Sequence, residues 1–251
     1  MSSKCLIFLV LPVMVISCST QKEEPFQELD CEIKKSYVNK NKRHIFKPCR
    51  EYTYSAKYWD KDYNLISEEK IWMMATGKEW GYEPETQDEI AIQYRFDESK
   101  RDFIQQHSIN PEFEQDWRVG IVSGVVENET ETWMHPFRSN QYNFTEVASF
   151  PMVRLPLETG IQWTSNLNIY EGWGRWTNTS IENTYRVIGF ESVHTEYAQL
   201  PAWHVKAIAK ADFGTSVHDF WYHEDYGFVK MIIRNYAGQL LTFELMGVKQ
   251  N

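Results

Sequence analysis

The chain has 251 residues, 42% of them hydrophobic and 24% charged, with 26 basic against 35 acidic side chains and a formal net charge of −9. A surface of that sign repels nucleic acid and anionic headgroups, and the length suits one sizeable β domain or two small ones, of which a single unit is expected. Aromatic residues make up 15% of the chain, including 10 Trp and 14 Tyr; such side chains favour strands, fill cores and offer flat faces to sugars or lipids.

Met1 to Lys4 carry one positive side chain, and Cys5 to Ile16 form an apolar run interrupted only by Pro12. That is the pattern of an export signal, and it falls short of the roughly 17 to 25 apolar residues of a spanning helix. The run closes on Val15-Ile16-Ser17-Cys18. These four residues resemble the lipobox of bacterial lipoproteins. The resemblance implies that Cys18 Sγ is alkylated by a diacylglyceryl group, that the chain is cut before it, and that the freed amine is acylated. Each buried methylene adds about 0.8 kcal/mol, so two or three chains hold almost permanently and no further apolar segment is needed. The alternative is an ordinary secretory signal followed by an incidental cysteine, and on either reading the chain leaves the cytoplasm. The expected organisation is a signal at 1–17, a lipidated tether at 18–30 and one β-rich domain at 31–251.

Cleavage there removes Cys5 and, among charged residues, only Lys4, which leaves 25 basic against 35 acidic residues and a net charge of −10. With Cys18 lipidated, Cys31 and Cys49 are the remaining thiols in an oxidising compartment, and they are expected to pair. A loop of about 18 residues closed this way stabilises by roughly 3 kcal/mol in the chain-entropy picture. A metal site built from these cysteines and His44 has too few ligands. Residues 32–48 are basic, with Lys34, Lys35, Lys40, Lys42, Arg43 and Lys47, and read as a solvated loop or a face turned to the membrane surface.

From Glu51 the sequence alternates, with Tyr52, Tyr54, Ala56 and Tyr58 on one face, and predicts a strand. Asp60-Lys61-Asp62 makes a turn, and 64–75 forms the returning strand, ended by Gly77 and Gly81. Ile90, Ile92, Tyr94 and Phe96 mark the next strand. Arg101 to Ser108 fits a paired strand or a short helix, with strand favoured, and Asn110-Pro111 closes it. Val119, Ile121, Ser123 and Val125 alternate into Glu127, Glu129 and Glu131. Three carboxylates at period two on one strand face are expected to be solvated, not to form an acid and base pair.

Gly124 to Asn128, followed by Thr132 to Arg138, resemble a segment of uncharacterised envelope lipoproteins from Bacteroidetes-type bacteria, mainly over 118–175. The resemblance brings no activity and implies an envelope location. In that group acidic residues soon after the lipidated cysteine accompany surface export; Glu23-Glu24 lie rather far from Cys18.

Phe150 to Leu157 reads as an extended connector and Gly160 to Ile169 as a strand, and Tyr170 to Trp176 as a turn carrying exposed aromatics. Strands at 182–193, 202–212, 215–223, 228–236 and 239–248 follow as a meander. The fold class is therefore all-β and mostly antiparallel. About ten strands form a curled sheet, as a half-barrel, barrel-like shell or sandwich, with little helix.

His218 and His223, five apart, fall on opposite faces of a strand, so a shared metal would need the strand to end between them, and His204 fits a hydrogen-bonded place in the sheet. No Gly-x-Ser-x-Gly, His-Glu-x-x-His or phosphate-cradling loop occurs, so no catalytic residue, metal or cofactor is expected. The leading functional expectation is a non-enzymatic lipoprotein of the cell envelope, close to the outer membrane, that binds an apolar or amphiphilic ligand or a protein partner. The alternative is a surface glycan-binding module stacking sugars on Trp133, Trp173 and Trp176. A hydrolase using a carboxylate pair without a motif ranks third.

Overall fold

The computed structural model describes Cys31, residues 45–113 and residues 117–250. The first half contains β1 (Arg50–Trp59), β2 (Leu65–Glu79), β3 (Asp88–Tyr94), α1 (Arg101–Gln106), β4 (Gly120–Glu127), β5 (Glu131–Met134) and β6 (Met152–Arg154). The second half is β7 (Gln162–Ile169), β8 (Thr179–His194), β9 (Gln199–Ala211), β10 (Gly214–His223), β11 (Gly227–Arg234) and β12 (Leu240–Gln250).

All twelve strands form one antiparallel sheet in the order β6-β5-β4-β3-β2-β1-β12-β11-β10-β9-β8-β7. Two meanders thus meet at β1 and β12, which pair from Arg50↔Gln250 to Trp59↔Leu240. The consecutive strands β6 and β7 occupy opposite edges, so the sheet curls without closing. Period-two patterning sets the faces: Tyr52, Tyr54, Ala56 and Tyr58 are buried with Leu241, Phe243 and Leu245, while Lys57 is solvated and pairs with Glu68.

The concave face is filled by the chain's own β5–β6 connection. Residues Asn140–Val147 form a 3-10 helix in which every residue is buried. Phe137 packs edge-on against Tyr54 at 5.1 Å and Phe243 at 5.0 Å, and Phe144 lies 5.4 Å from Tyr58. Each such ring contributes about 1.5 to 3 kcal/mol through burial. Several of the polar groups carried inside are partnered: Thr145 Oγ1 donates to Phe137 O at 3.1 Å, Gln141 Nε2 donates to Glu69 at 2.6 Å, and Ser149 Oγ donates to Asn183 at 2.9 Å.

Three local expectations are corrected. Arg101 to Gln106 is helical, because β2 and β4 already take both sides of β3 and leave no slot for another strand. Asp97 Oδ1 accepts from Ser99 N at 3.0 Å at the start of this segment, and Ile104 turns inward. β2 passes through Gly77 to Glu79; Gly77 at φ +75° absorbs a register shift as a bulge. Glu127 is not a solvated flank: its carboxylate accepts from Ile45 N and Phe46 N, both at 2.9 Å. Glu129 sits in the turn tied by Asn128 Oδ1 to Thr130 N and Glu131 N.

Cys31 and Cys49 form the expected disulfide, with Cα atoms 5.5 Å apart. Among the described residues no helix is long and apolar enough to cross a membrane.

Candidate functional site

A cleft arises because β5 is shorter than the strand it pairs with. β5 covers only Val125, Val126 and Glu127 of β4, and His135 N then donates to Gly124 O at 3.2 Å before the chain turns inward. From Gly120 to Ser123, β4 has β3 on one side and, among the described residues, no strand on the other. A cleft of about 510 Å³ lies here, touching both Ile121 and Val122. Successive strand side chains point to opposite faces, so a cleft that touches both runs along the strand's edge, in the place where a longer β5 would lie.

Aromatic rings wall it. Phe113 and Trp173 stack in parallel, 5.0 Å apart and 7° from coplanar. Gly174 makes this seat, since at φ +55° any added Cβ would lie 2.7 Å from Asn110 Oδ1 and from Phe113 N. Farther along β4, Trp80 lies 5.2 Å from Tyr82 and 5.2 Å from His135. Gly124 permits this approach, because a Cβ there would collide with Gln87 and the Trp80 ring. Trp80 is buried, and its Nε1–H has no acceptor among the described residues.

The polar wall comes from the start of the buried connection. Asn140, at φ +58°, is buried and clamps Arg118 from both sides. Its Oδ1 accepts from Arg118 N at 2.8 Å, and its Nδ2 donates to Arg118 O at 3.0 Å. Asparagine tolerates this left-handed backbone better than most residues. Arg138 is held by the Glu146 carboxylate at 3.0 Å. The lining residues include these two arginines and no carboxylate. Burial, with Arg138 adding, pushes His135 down to about 3, so its ring is neutral near pH 7. The cleft therefore pairs apolar rings with guanidinium charge in an acidic chain. That suits a ligand with an apolar body and an anionic group.

The residues singled out from sequence are divided by the fold. Cys18 lies outside the described residues. Trp173 lines the cleft, whereas Trp176 is wholly buried and its Nε1 donates to Tyr236 Oη at 3.0 Å. Trp133 is half-buried between His135 and Phe150. No shared platform of three tryptophans exists, because the Gly174–Trp176 turn carries Trp176 into the core. His204 is bonded within the sheet as expected, with Nε2 2.8 Å from Asp219 and its ring 4.4 Å from Trp221. His218 is buried, and its Nδ1–H donates to Ser149 O at 2.6 Å. Among the described residues no cluster of three His, Cys, Asp or Glu could hold a metal.

Sequence reasoning missed Trp80, Tyr82, Phe113, Arg118, Arg138 and Asn140. The run Trp80-Gly81-Tyr82 beyond a strand was the one usable signal, being two aromatics around a glycine with no alternating partner. Arg118 and Arg138 carried none, since they meet only through the fold.

No family model matches the chain, and no curated protein matches it. Solved structures similar to it include three bacterial proteins named as exported or as lipoproteins. A protein named as exported, with a YmcC-like fold, from Bacteroides fragilis is 13% identical with a TM-score of 0.47, covering 82% of this chain and 98% of its own. A protein named as a lipoprotein from Parabacteroides distasonis is 10% identical with a TM-score of 0.43, covering 82% and 97%. The hypothetical lipoprotein YmcC from Escherichia coli is 9% identical with a TM-score of 0.30, covering 84% and 90%.

Proposed function

We propose that the chain is a non-enzymatic lipoprotein of the bacterial cell envelope, anchored through Cys18, whose cleft beside β4 binds an amphiphilic ligand. The carrying observation is the cleft itself, with the Phe113–Trp173 stack and Trp80 facing Arg118 and Arg138 in a chain of net charge −9. The apolar part of the ligand lies on the rings and its anionic part meets the guanidinium groups. The export signal, the lipobox and the disulfide support the envelope setting. Because the concave face holds the chain's own 140–147 segment, the reading places the ligand at the strand edge and not inside the curl.

Fluorescence titration tests the binding site. Lysophosphatidylglycerol added to the chain from Ser19 onward, which retains every described residue, should shift the emission of Trp80 and Trp173 saturably, and Trp173→Ala should weaken the response about tenfold. Absence of any saturable shift with this or a zwitterionic analogue refutes the binding reading. Cell fractionation tests the anchor: the Cys18→Ser chain should leave the membrane fraction, and its retention there would remove the lipobox reading.

A further inference from the structure

We propose that the natural occupant of this cleft is polypeptide. It is an extended segment of four or five residues from a partner protein, acidic towards its C-terminal end, that pairs with β4 as an added antiparallel strand. The proposal rests on the reading above, that the cleft takes an amphiphilic ligand, and specifies its class.

Backbone direction carries the argument. Tyr94 N donates to Val119 O at 2.8 Å, so Val119 faces β3. In an antiparallel ladder the N–H and C=O of one residue point the same way and alternate along the strand. Ile121 and Ser123 therefore also face β3, while Gly120, Val122 and Gly124 face the cleft. Gly124 O confirms the alternation by accepting from His135 N. Gly120 and Val122 then present both backbone groups to the cleft, and Gly124 adds its N–H, with no strand paired there among the described residues.

Free edges are normally blunted by lysine, proline, inward charge or a covering element. Gly120-Ile121-Val122-Ser123 carries no lysine, proline or charge and no strand among the described residues covers it, and Val119 and Val122 are 68% and 53% exposed. A row of unpaired backbone groups beside exposed valines between aromatic walls matches what strand addition uses. An acyl chain would cover the rings and leave those groups unpaired. Polarity follows from β5: a strand continuing its direction runs from Trp80 towards Arg118, so an acidic residue late in the segment meets the guanidinium.

The test uses the chain from Ser19 onward. Random heptapeptides displayed on phage are selected against it, and the consensus peptide is then measured by fluorescence anisotropy. Selected sequences should alternate apolar residues and carry Asp or Glu near the C-terminal end. Val122→Pro removes only an N–H aimed at the cleft and leaves the β3 ladder intact, so it should bind at least about tenfold more weakly. Arg118→Gln should weaken binding severalfold. Peptides N-methylated at single positions give a second readout on the unmodified protein: methylation should abolish binding at alternate positions and spare the others. Peptides that bind Val122→Pro equally and tolerate methylation everywhere overturn strand addition. If no peptide is enriched while lysophosphatidylglycerol still shifts tryptophan emission, this inference falls and the amphiphile reading stands. If neither binds, both fall.

Discussion

At the scale of single residues, burial sets two titrations in opposite directions. His218 is fully enclosed, and burial, partly offset by its bond to Ser149, pushes its ring down from 6.5 to about 4. The native state therefore stays unprotonated between pH 6.5 and 4 while the unfolded chain takes up the proton. This stability is complete above pH 6.5 and is lost as pH falls. Glu69 does the reverse: burial, partly offset by the hydrogen bonds it accepts from Gln141, Asp97 and Tyr142, raises it from 4.5 to about 6, so its contribution is present at low pH and lost as pH rises through 6. The histidine has the larger shift, and His135 adds to it. Urea midpoints should fall from pH 6.5 to 4, and His218→Asn, which keeps a donor for Ser149 O, should remove up to about 3 kcal/mol of that fall. A variant with the parent's full pH slope would show that His218 is not the group responsible. The residue scale also shows a limit of sequence reading. Trp173 and Trp176 lie three apart in one turn, yet one lines a cleft and the other fills the core. No local pattern distinguishes them, because the difference is set by contacts with Asn110 and Tyr236, far away in sequence.

At the scale of elements, the strands were legible and the buried connection was not. Alternation in Tyr52 to Tyr58 and in Ile90 to Tyr94 is imposed by a sheet with one face in a core, so the sequence carries it directly. Phe137 to Phe150 mixes Asn, Gln, Ser and Thr with aromatics at neither strand nor helix spacing, and predicts no element. Its burial depends on a concave surface that exists only after the sheet has curled. The cleft was hidden for a related reason: it depends on β5 ending before β4 does, a difference in strand length that only pairing reveals. If the connection is core, truncating it should cost what core positions cost. Phe144→Ala should lower stability by about 3 to 5 kcal/mol, whereas Tyr82→Ala at the 84% exposed cleft rim should stay within about 0.5 kcal/mol. Equal small effects in denaturant melts would mean that the segment is a surface loop.

At the scale of the whole molecule, topology alone would allow two separable meanders, since each is built from sequence neighbours and they join only along β1 and β12. The buried connection argues against separability. Phe137 touches Tyr54 of the first meander and Phe243 of the second, Ser149 bonds Asn183 of β8, and His218 of β10 donates to Ser149 O. Opening either meander strips contacts from the same segment, so the two should unfold together. In native-state hydrogen exchange, amides in the sheet's centre, β2, β1, β12 and β11, should share one high opening energy and one denaturant dependence. The three-residue edge strand β6 and the outer strand β7 should exchange first by local opening. The amides of Gly120 and Val122, which pair with no strand among the described residues, should exchange fast in the free protein and slow on occupancy of the cleft. Two distinct global classes, one per meander, would mean that the connection packs against one half only. Stability here then rests on a segment that sequence periodicity does not mark, and the same segment supplies Arg138 and Asn140 to the cleft, so core and site are built from one piece of chain.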